Sequence, residues 1–355
     1  MNDVGAEPSR TGGYTLVPAR SVDETALVAF ASAVWPDREP HERIRASWWR
    51  YAEPECAVVA LHDATGAVAG LCGGRPSQWV IDGRPHPAVA ITDWYVAPGH
   101  AGKLIGRRLV RQFQAPDRVM YAFSISDMAV AYLRALGWQG PFPSTFMALP
   151  FPRLVRLLHR AGRGDLALDE HVATGRELPG ALASALDRIE QRRSLGREPA
   201  HMRRGADEWC WRLRIRAERT YRFCVASRAG EPVGYAAVRR STPGRIRQLG
   251  KRDGALLTDL VVAGDDRHAL RALATRAVAM AAELGAVAVF AATTTPSHAA
   301  MLARLGFLSP SWPLVGKYLG RRAPPFMWLP RGPGAGLAAD AMALTLADAT
   351  IDFDL

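Results

Sequence analysis

One segment of this 355-residue chain combines a carboxylate with a glycine-containing turn of the kind that binds phosphate. Asp93 lies in an apolar stretch that ends at Val96, and Gly102, Lys103 and Gly106 follow. Backbone amides at the start of a helix lack acceptors within the helix, and their dipoles sum to a partial positive charge. Glycines also let a diphosphate approach the backbone closely. The segment therefore predicts an anion site that follows a carboxylate in the sequence.

The same strand-to-helix segment occurs a second time in the chain. Asp93 and Val96 match Asp259 and Val262, and an alignment without gaps then places Leu270 opposite Leu104. The other matches, in the same order, are Trp49 with Trp211, Val68-Ala69-Gly70 with Val233-Gly234, Leu136-Gly137-Trp138 with Leu305-Gly306-Phe307, and Phe146-Met147-Ala148-Leu149-Pro150 with Phe326-Met327-Trp328-Leu329-Pro330. This ordered repetition predicts two copies of one unit, which we call copy one and copy two.

Length and composition agree with two domains, because 48% hydrophobic residues in 355 suffice for two apolar cores. We predict an N-terminal domain at 14–150, a linker at 151–164 and a second domain with a C-terminal tail at 165–355. The tail, which begins Gly-Pro-Gly-Ala-Gly at Gly332, is interpreted as a hinge. Hydrophobic periodicity predicts helices at 22–35, 104–112, 128–136, 181–193, 269–284 and 298–305, and a further helical segment ending at 48–51. Predicted strands alternate with these helices.

Several classes of protein do not fit the sequence. The longest apolar run, 277–292, is interrupted by Glu283 and Gly285 and does not predict a membrane span. The N-terminal residues lack the apolar core of a signal peptide, which favours a cytoplasmic location. The cysteines show no Cys-x-x-Cys spacing and the histidines no ligand spacing, so we expect reduced thiols and no metal site.

The net charge of +11 raises the question of a nucleic-acid partner. The densest basic stretch, 188–222, is interleaved with acidic residues such as Glu190, Asp207 and Glu218. Solvated helix faces explain such mixing, and we do not expect nucleic acid as a partner. A basic groove for an anionic cofactor or carrier remains open.

The motifs resemble those of the GNAT superfamily of acyl-CoA-dependent N-acyltransferases. The residues that carry the resemblance are Tyr95-Val96-Ala97-Pro98, Gly102-Lys103, Ile105-Gly106 and Leu136-Gly137-Trp138. The resemblance implies an α/β (α+β) fold with two tandem GNAT-like domains, each a mixed, mostly antiparallel central sheet flanked by helices. It also implies acetyl-CoA or another acyl-CoA as donor.

The resemblance further implies which residues bind the cofactor. These are Tyr95, Val96, Ala101, Gly102, Lys103, Ile105, Gly106 and Arg107. Copy one departs from the family motif, because Ala101 and Leu104 replace an Arg or Gln and a Gly. In copy two the turn contains Asp265 and Asp266, two carboxylates that would repel a diphosphate. We therefore expect one cofactor per chain, bound to copy one.

Acyl transfer to an amine needs a base for the amine and an acid for the departing thiolate. Asp93 lies where family members often have a carboxylate and is the predicted base, although a structural strand-end aspartate is the alternative. Family members often place a Tyr at the position of Leu133 in this chain. Tyr132 is the candidate acid one residue away, and solvent is the alternative.

These observations predict a cytoplasmic acyltransferase that acts on an amine of a small molecule, such as a metabolite, an antibiotic or a cell-envelope precursor. Two alternatives stay open. One is a tandem GNAT ligase that depends on aminoacyl-tRNA, and the other is a non-catalytic protein that binds acyl-CoA or a protein partner. We expect no membrane partner, and a homodimer is left open.

Overall fold

The structure is a computed structural model. It describes residues 9–34, 57–123, 125–142, 144–153, 165–196, 200–215, 218–241, 249, 252–309, 325–338 and 342–345. The predicted helical segment at 48–51, most of the predicted linker and the last ten residues lie outside these ranges.

Strands and helices alternate along the described chain. The strands are β1 (Ser9–Thr11), β2 (Tyr14–Pro18), β3 (Ala57–His62), β4 (Val68–Ile81), β5 (Arg84–Val96), β6 (Val119–Phe123), β7 (Gln139–Phe142), β8 (Thr145–Pro150), β9 (Leu166–Thr174), β10 (Ala200–Met202), β11 (Thr220–Arg228), β12 (Glu231–Arg240), β13 (Gly254–Val262), β14 (Ala288–Thr293), β15 (Phe326–Leu329) and β16 (Met342–Ala343). The helices are α1 (Glu24–Val34), α2 (Ile105–Arg111), α3 (Asp127–Ala135), α4 (Gly180–Leu195), α5 (Ala206–Ile215), α6 (Arg267–Glu283) and α7 (Pro296–Arg304).

The strands form two sheets with the same internal order. Sheet one runs β1-β2-β3-β4-β5-β6-β15-β7, with β10 paired to β4 and β16 paired to β10. Sheet two runs β8-β14-β13-β12-β11-β9. The order β2-β3-β4-β5-β6-β15 thus corresponds to β9-β11-β12-β13-β14-β8, which confirms the predicted duplication.

Both sheets are mixed and mostly antiparallel. The parallel pairs are β5 with β6 and β10 with β16 in sheet one, and β13 with β14 in sheet two. Helices α2 and α3 pack on one face of sheet one and α1 on the other, while α6 and α7 pack on one face of sheet two and α4 and α5 on the other. The predicted fold class is therefore confirmed.

The two sheets exchange one strand that has the same sequence motif in both copies. β8, with Phe146 and Met147, pairs with β14 of sheet two. β15, with Phe326 and Met327, pairs with β6 of sheet one. Segment 14–150 thus contributes β8 to sheet two, and segment 165–355 contributes β10, β15 and β16 to sheet one, so the two sheets are joined through these crossings.

In each sheet the central parallel pair opens toward the end of the strands. β5 pairs with β6 only at Ala88 to Ala90, although β5 continues to Val96. β13 pairs with β14 only from Gly254 to Leu257, although β13 continues to Val262. Each opening lies beside the turn that leads into the next helix, and these are the positions where the sequence predicts chemistry.

The predicted helices fall close to the observed ones, apart from the segment that is not described. Helix α5, which contains Cys210, and the short strands β10 and β16 were not predicted from the sequence. Among the described residues, no helix has the length and the apolar character needed to cross a membrane.

Candidate functional site in copy one and its counterpart in copy two

In copy one, the turn after β5 leads into a helix without a side-chain cap. The turn comprises residues 97–104 and includes a short 3-10 segment at Pro98–His100. Gly102 has a φ of 79°, and a Cβ at this position would meet nothing within 4 Å. Leu104, with a φ of 58°, precedes α2 and makes no side-chain cap hydrogen bond. The first amides of α2 thus lack a capping side chain, and such amides favour anions.

Aromatic and basic side chains anchor this turn to β2 and β3. The Tyr14 hydroxyl lies 2.8 Å from Nδ1 of His100, and the rings of His62 and His100 are 5.3 Å apart. Lys103 is exposed, and its Nζ lies 5.7 Å from the centre of the Tyr14 ring. Partial burial, together with the charges of Lys103 and His62, lowers the pKa of His100. The turn is therefore held in place by contacts on the side of β2.

The structure divides the predicted cofactor-binding residues by exposure. Ala101, Gly102 and Lys103 are exposed, whereas Ile105 and Gly106 are buried. The side chain of Ile105 packs in the apolar core, so only its backbone is available to a ligand. The half-buried members of the predicted set are Tyr95, Val96 and Arg107.

Asp93 lies at an irregular point of β5. The pairing of β5 with β4 shifts register between Leu71 and Gly73, and Asp93 has a φ of 45°. Aspartate is among the few residues that tolerate this conformation, and bulges are frequent next to active sites. Asp93 is half-buried, and its charge adds to the effect of burial in raising the pKa of the Cys72 thiol.

Tyr132 lies close to the residue that follows Asp93. Its ring centre is 5.0 Å from that of Trp94, and the two rings meet edge to face at 74°. Tyr132 is 37% exposed, whereas the neighbouring Leu133 is fully buried in the core. The structure thus brings the Tyr132 ring to the side of Trp94.

Solved structures of GNAT proteins share this fold. A GCN5-related N-acetyltransferase from Anabaena variabilis is 12% identical, with 89% of this chain and 72% of that chain covered and a TM-score of 0.55. One from Kribbella flavida is 15% identical, with 89% and 70% covered and a TM-score of 0.51. A tandem GNAT protein from the clavulanic acid biosynthesis pathway is 17% identical, with 89% and 97% covered and a TM-score of 0.51.

The sequence of copy one also matches a family model. Residues 23–120, from the start of α1 through the turn to β6, match the acetyltransferase (GNAT) family. This segment of copy one is therefore assigned to the GNAT family, and the fold of the chain is that of GNAT proteins. Acyl transfer is the general reaction of this family. A comparison with curated proteins gave no significant match.

The corresponding turn of the second GNAT-like domain is shorter and is capped by its own carboxylate. It comprises residues 263–266, four residues against the eight of copy one. Oδ1 of Asp266 accepts hydrogen bonds from the amides of His268 at 3.1 Å and Ala269 at 2.9 Å. The alignment of Leu270 with Leu104 was wrong, because Leu270 lies within α6 while Leu104 precedes α2.

Arg228 neutralises this capping carboxylate. Its guanidinium contacts Asp266 at 2.5 Å and Asp165 at 2.7 Å. Burial opposes ionisation of Asp266, but the hydrogen bonds from Ala269 and Arg228 outweigh it and lower the pKa. The anion-binding end of α6 is therefore already filled by a charged group of the protein.

Asp259, the counterpart of Asp93, is fully buried in a polar network. The Tyr235 hydroxyl and Nε of Arg204 donate to its Oδ2 at 2.7 and 3.0 Å. The hydroxyl of Thr345 donates to Oδ1 at 2.7 Å. Burial and the charge of Asp259 raise the pKa of Tyr235 well above its usual value. The Asp259 carboxylate is thus fully buried and paired with Arg204, whereas Asp93 is only half-buried.

The C-terminal tail lies in the opening of sheet two. The Thr294 amide donates to the Leu344 carbonyl at 3.1 Å, and the Leu344 amide donates to the Thr294 hydroxyl at 2.8 Å. Thr345 forms a bridge with Thr293 of β14 and the bond to Asp259 of β13. The tail therefore joins the two parted strands of copy two.

His298 lies beside the tail in the same opening. It lines a small cavity together with Leu257, Leu260, Ala291, Ala292, Thr293, Leu302 and Thr345. Its Nδ1 is buried and has no hydrogen-bond partner among the described residues. Burial and the charge of Arg193 lower its pKa to about 4, although Asp259 acts in the opposite direction.

Three features of the structure were not predicted from the sequence: the contacts of Trp94, the cap at Asp266 and the position of the tail. The cap had a recognisable signal, because Asp immediately before a helical pattern is a favoured N-cap. Trp94 and the tail had none, since their partners are distant in sequence. Within the part of the chain that the structure describes, no three His, Cys, Asp or Glu side chains are grouped to hold a metal ion.

Proposed function

We propose that the chain is an N-acyltransferase that moves an acetyl or related acyl group from acyl-CoA to an amine of a small molecule. The observation that carries the proposal is the contrast between the two turns. The helix after Gly102 has no side-chain cap, whereas Asp266 caps the helix of copy two. A diphosphate needs free amides and no adjacent carboxylate, and copy one provides both.

The residues of copy one fit the diphosphate of acyl-CoA. Gly102 is exposed and has open space where a side chain would stand, so a ligand can approach its backbone. The exposed Lys103 adds a positive charge. Ile105 and Gly106 would contribute backbone amides from the first turn of α2. These are the groups that we assign to the donor site.

Two side chains are proposed to move protons. Acyl-CoA supplies an acyl group activated as a thioester. Asp93 takes a proton from the attacking amine, which must be neutral to form the new C–N bond. Tyr132 gives a proton to the sulfur that leaves when the C–S bond breaks. Its ring lies against Trp94, the neighbour of Asp93 in the chain, and this contact supports the assignment.

One donor site per chain follows from the state of copy two. Its helix is capped by Asp266, and its strand opening contains the tail residues Leu344 and Thr345. We infer that copy two packs against copy one and forms a wall of the acceptor cleft. Because acyl-CoA is the proposed donor, we place the reaction in the cytoplasm.

The proposal is tested by amine-dependent release of the CoA thiol. Acetyl-CoA and other short acyl-CoAs are incubated with the protein and a panel of small amines, and the free thiol is measured. We expect release with at least one amine, and a large loss of release in Asp93→Asn. Binding of acetyl-CoA without amine-dependent release from any member of a broad panel would instead support a non-catalytic acyl-CoA-binding protein.

A further inference from the structure

Trp94 connects three parts of the copy-one site. It follows Asp93 directly in β5, and its Nε1 donates a hydrogen bond of 3.2 Å to the carbonyl of Gly106 in the first turn of α2. Its ring contacts Tyr132 on α3 at 5.0 Å. One side chain thus links the strand of the predicted base, the helix of the anion-binding turn and the helix of the predicted acid.

The contact with α2 is close enough to restrict the residue at position 106. A Cβ added to Gly106 would lie 3.2 Å from two atoms of the Trp94 indole. Such a distance is tighter than ordinary van der Waals contact, so a larger residue would displace the indole. Gly106 therefore serves a packing role here.

Tyr132 depends on this indole for its position. Its side chain is 37% exposed, and its hydroxyl makes no hydrogen bond to any of the described residues. The edge-to-face contact with Trp94 is the aromatic contact that orients its ring. Edge-to-face aromatic contacts are favourable and depend on ring orientation, so this contact favours one rotamer of Tyr132.

Copy two lacks both members of the pair. Leu260 lies at the strand position of Trp94, and Met301, which precedes Leu302, lies at the position of Tyr132. Both are buried in the apolar core of sheet two. The aromatic pair thus occurs in the copy whose helix is uncapped and is replaced by aliphatic packing in the other.

We propose that Trp94 is a positioning residue that holds Tyr132 at the sulfur of the departing CoA. As the C–S bond breaks, the sulfur keeps the electron pair and takes the proton of the Tyr132 hydroxyl. The phenolate then recovers a proton from water. This inference rests on the proposed function, because it needs acyl-CoA to bind to copy one.

The test places 3-fluorotyrosine at position 132 and follows its fluorine resonance by NMR. The probes are CoA and desulfo-CoA, which lacks the thiol. In the parent protein we expect CoA to shift the resonance more than desulfo-CoA does. Trp94→Phe, which keeps an aromatic edge, should retain most of this difference. Trp94→Leu, which introduces the residue of copy two, should lose it when the shifts are compared at saturating CoA. Both variants lose the hydrogen bond to the Gly106 carbonyl, so a difference between them reports on the contact with Tyr132.

A second variant disturbs the contact between Trp94 and Tyr132 by a substitution on α2. Gly106→Ala presses a methyl group against the indole, so it should reduce the thiol-dependent shift without altering Trp94 itself. Equal shifts with CoA and desulfo-CoA in the parent would overturn the placement of Tyr132 at the sulfur. An undiminished difference in Trp94→Leu at saturating CoA, or an equal loss in Trp94→Phe and Trp94→Leu, would overturn the positioning role. Absence of CoA binding by the parent would instead refute the proposed function.

Discussion

Leu104 and Asp266 occupy the same place in the two copies, immediately before a helix, and only Asp266 caps that helix. Leu104 makes no side-chain cap bond, while Asp266 accepts from two amides and is paired with Arg228. The duplicated unit has therefore diverged at its anion-binding end. In copy one the helix start has no capping side chain, and in copy two an internal carboxylate caps it.

The first prediction concerns charge at the turn of copy one. Gly102→Asp should weaken acetyl-CoA binding by about fivefold or more, because a like charge near a diphosphate costs on the order of 1 kcal/mol. Gly102→Asn has nearly the same shape without the charge and should weaken binding less. Isothermal titration calorimetry measures both.

Copy two offers a matched control for this experiment. Gly264 also has a positive φ, 72°, and open space around it. Gly264→Asp should leave the affinity for acetyl-CoA unchanged. If this variant weakens binding and Gly102→Asp does not, the donor site has been assigned to the wrong copy.

The two equivalent aspartates should respond differently to the same substitution. Asp93→Asn should lower turnover by roughly two to four orders of magnitude, the usual effect of losing a general base. Asp259→Asn should instead destabilise the fold by about 3–5 kcal/mol, because it removes the negative charge from a buried ion pair with Arg204. Chemical denaturation and steady-state kinetics separate the two effects. Parent-like turnover in Asp93→Asn would mean that Asp93 is structural.

The tail should contribute to stability without contributing to donor binding. Thr345→Val removes the hydroxyl that donates to Asp259 and should cost about 1–3 kcal/mol, because a buried acceptor loses its partner. Thr345→Ser keeps the hydroxyl and should cost less. Both variants should bind acetyl-CoA as the parent does. A change in CoA affinity in Thr345→Val alone would show that copy two takes part in donor binding.

The stability of the protein should fall as the pH drops from about 6.5 to 4. The pKa of His298 is about 4 in the folded protein, below the ordinary value of 6.5. In this pH window the unfolded chain binds a proton at His298 and the folded protein does not, so acid favours unfolding. His298→Gln should show a smaller decrease in thermal midpoint between pH 7 and 5.

His171→Gln serves as the control for this measurement, since His171 lies on the edge strand β9, outside the polar network. It should keep the pH dependence of the parent. If His298→Gln loses as much thermal stability as the parent over the same range, protonation of His298 does not contribute.

Much of the fold could be predicted from the sequence because its signals are local. The repeated strand, turn and helix around Asp93 and Asp259 follow from hydrophobic periodicity and from the order of matching motifs. The helices at 104–112 and 269–284 were placed within two residues of α2 and α6 at both ends. The short strand β16 carried no such signal, because its pairing with β10 is formed between distant parts of the chain.

The exchange of β8 and β15 could not be predicted from the motif they share. Phe146 and Phe326 begin similar segments, and either segment suits the edge of either parallel pair. The path of the chain between the sheets decides which sheet each strand joins. Hydrophobic periodicity gives no information about this path. The shorter turn of copy two was also missed, since the sequence alignment assumed turns of equal length.

The candidate site was predicted only in part, because some of its residues are close in sequence and others are brought together by packing. Residue types placed Asp93, Gly102 and Lys103 in one segment, and the structure locates them along the strand and the exposed turn. The link between Trp94 and Tyr132 depends on how α3 packs on the sheet. No spacing rule connects residues on separate elements.

The central claim, one acyl-CoA per chain bound at the turn of copy one, is tested most directly by native mass spectrometry. The parent, Gly102→Asp and Gly264→Asp are titrated with acetyl-CoA, and bound molecules per chain are counted. We predict saturation at one acetyl-CoA in the parent and in Gly264→Asp, with reduced occupancy in Gly102→Asp. Saturation at two per chain, or loss of binding only in Gly264→Asp, would contradict it.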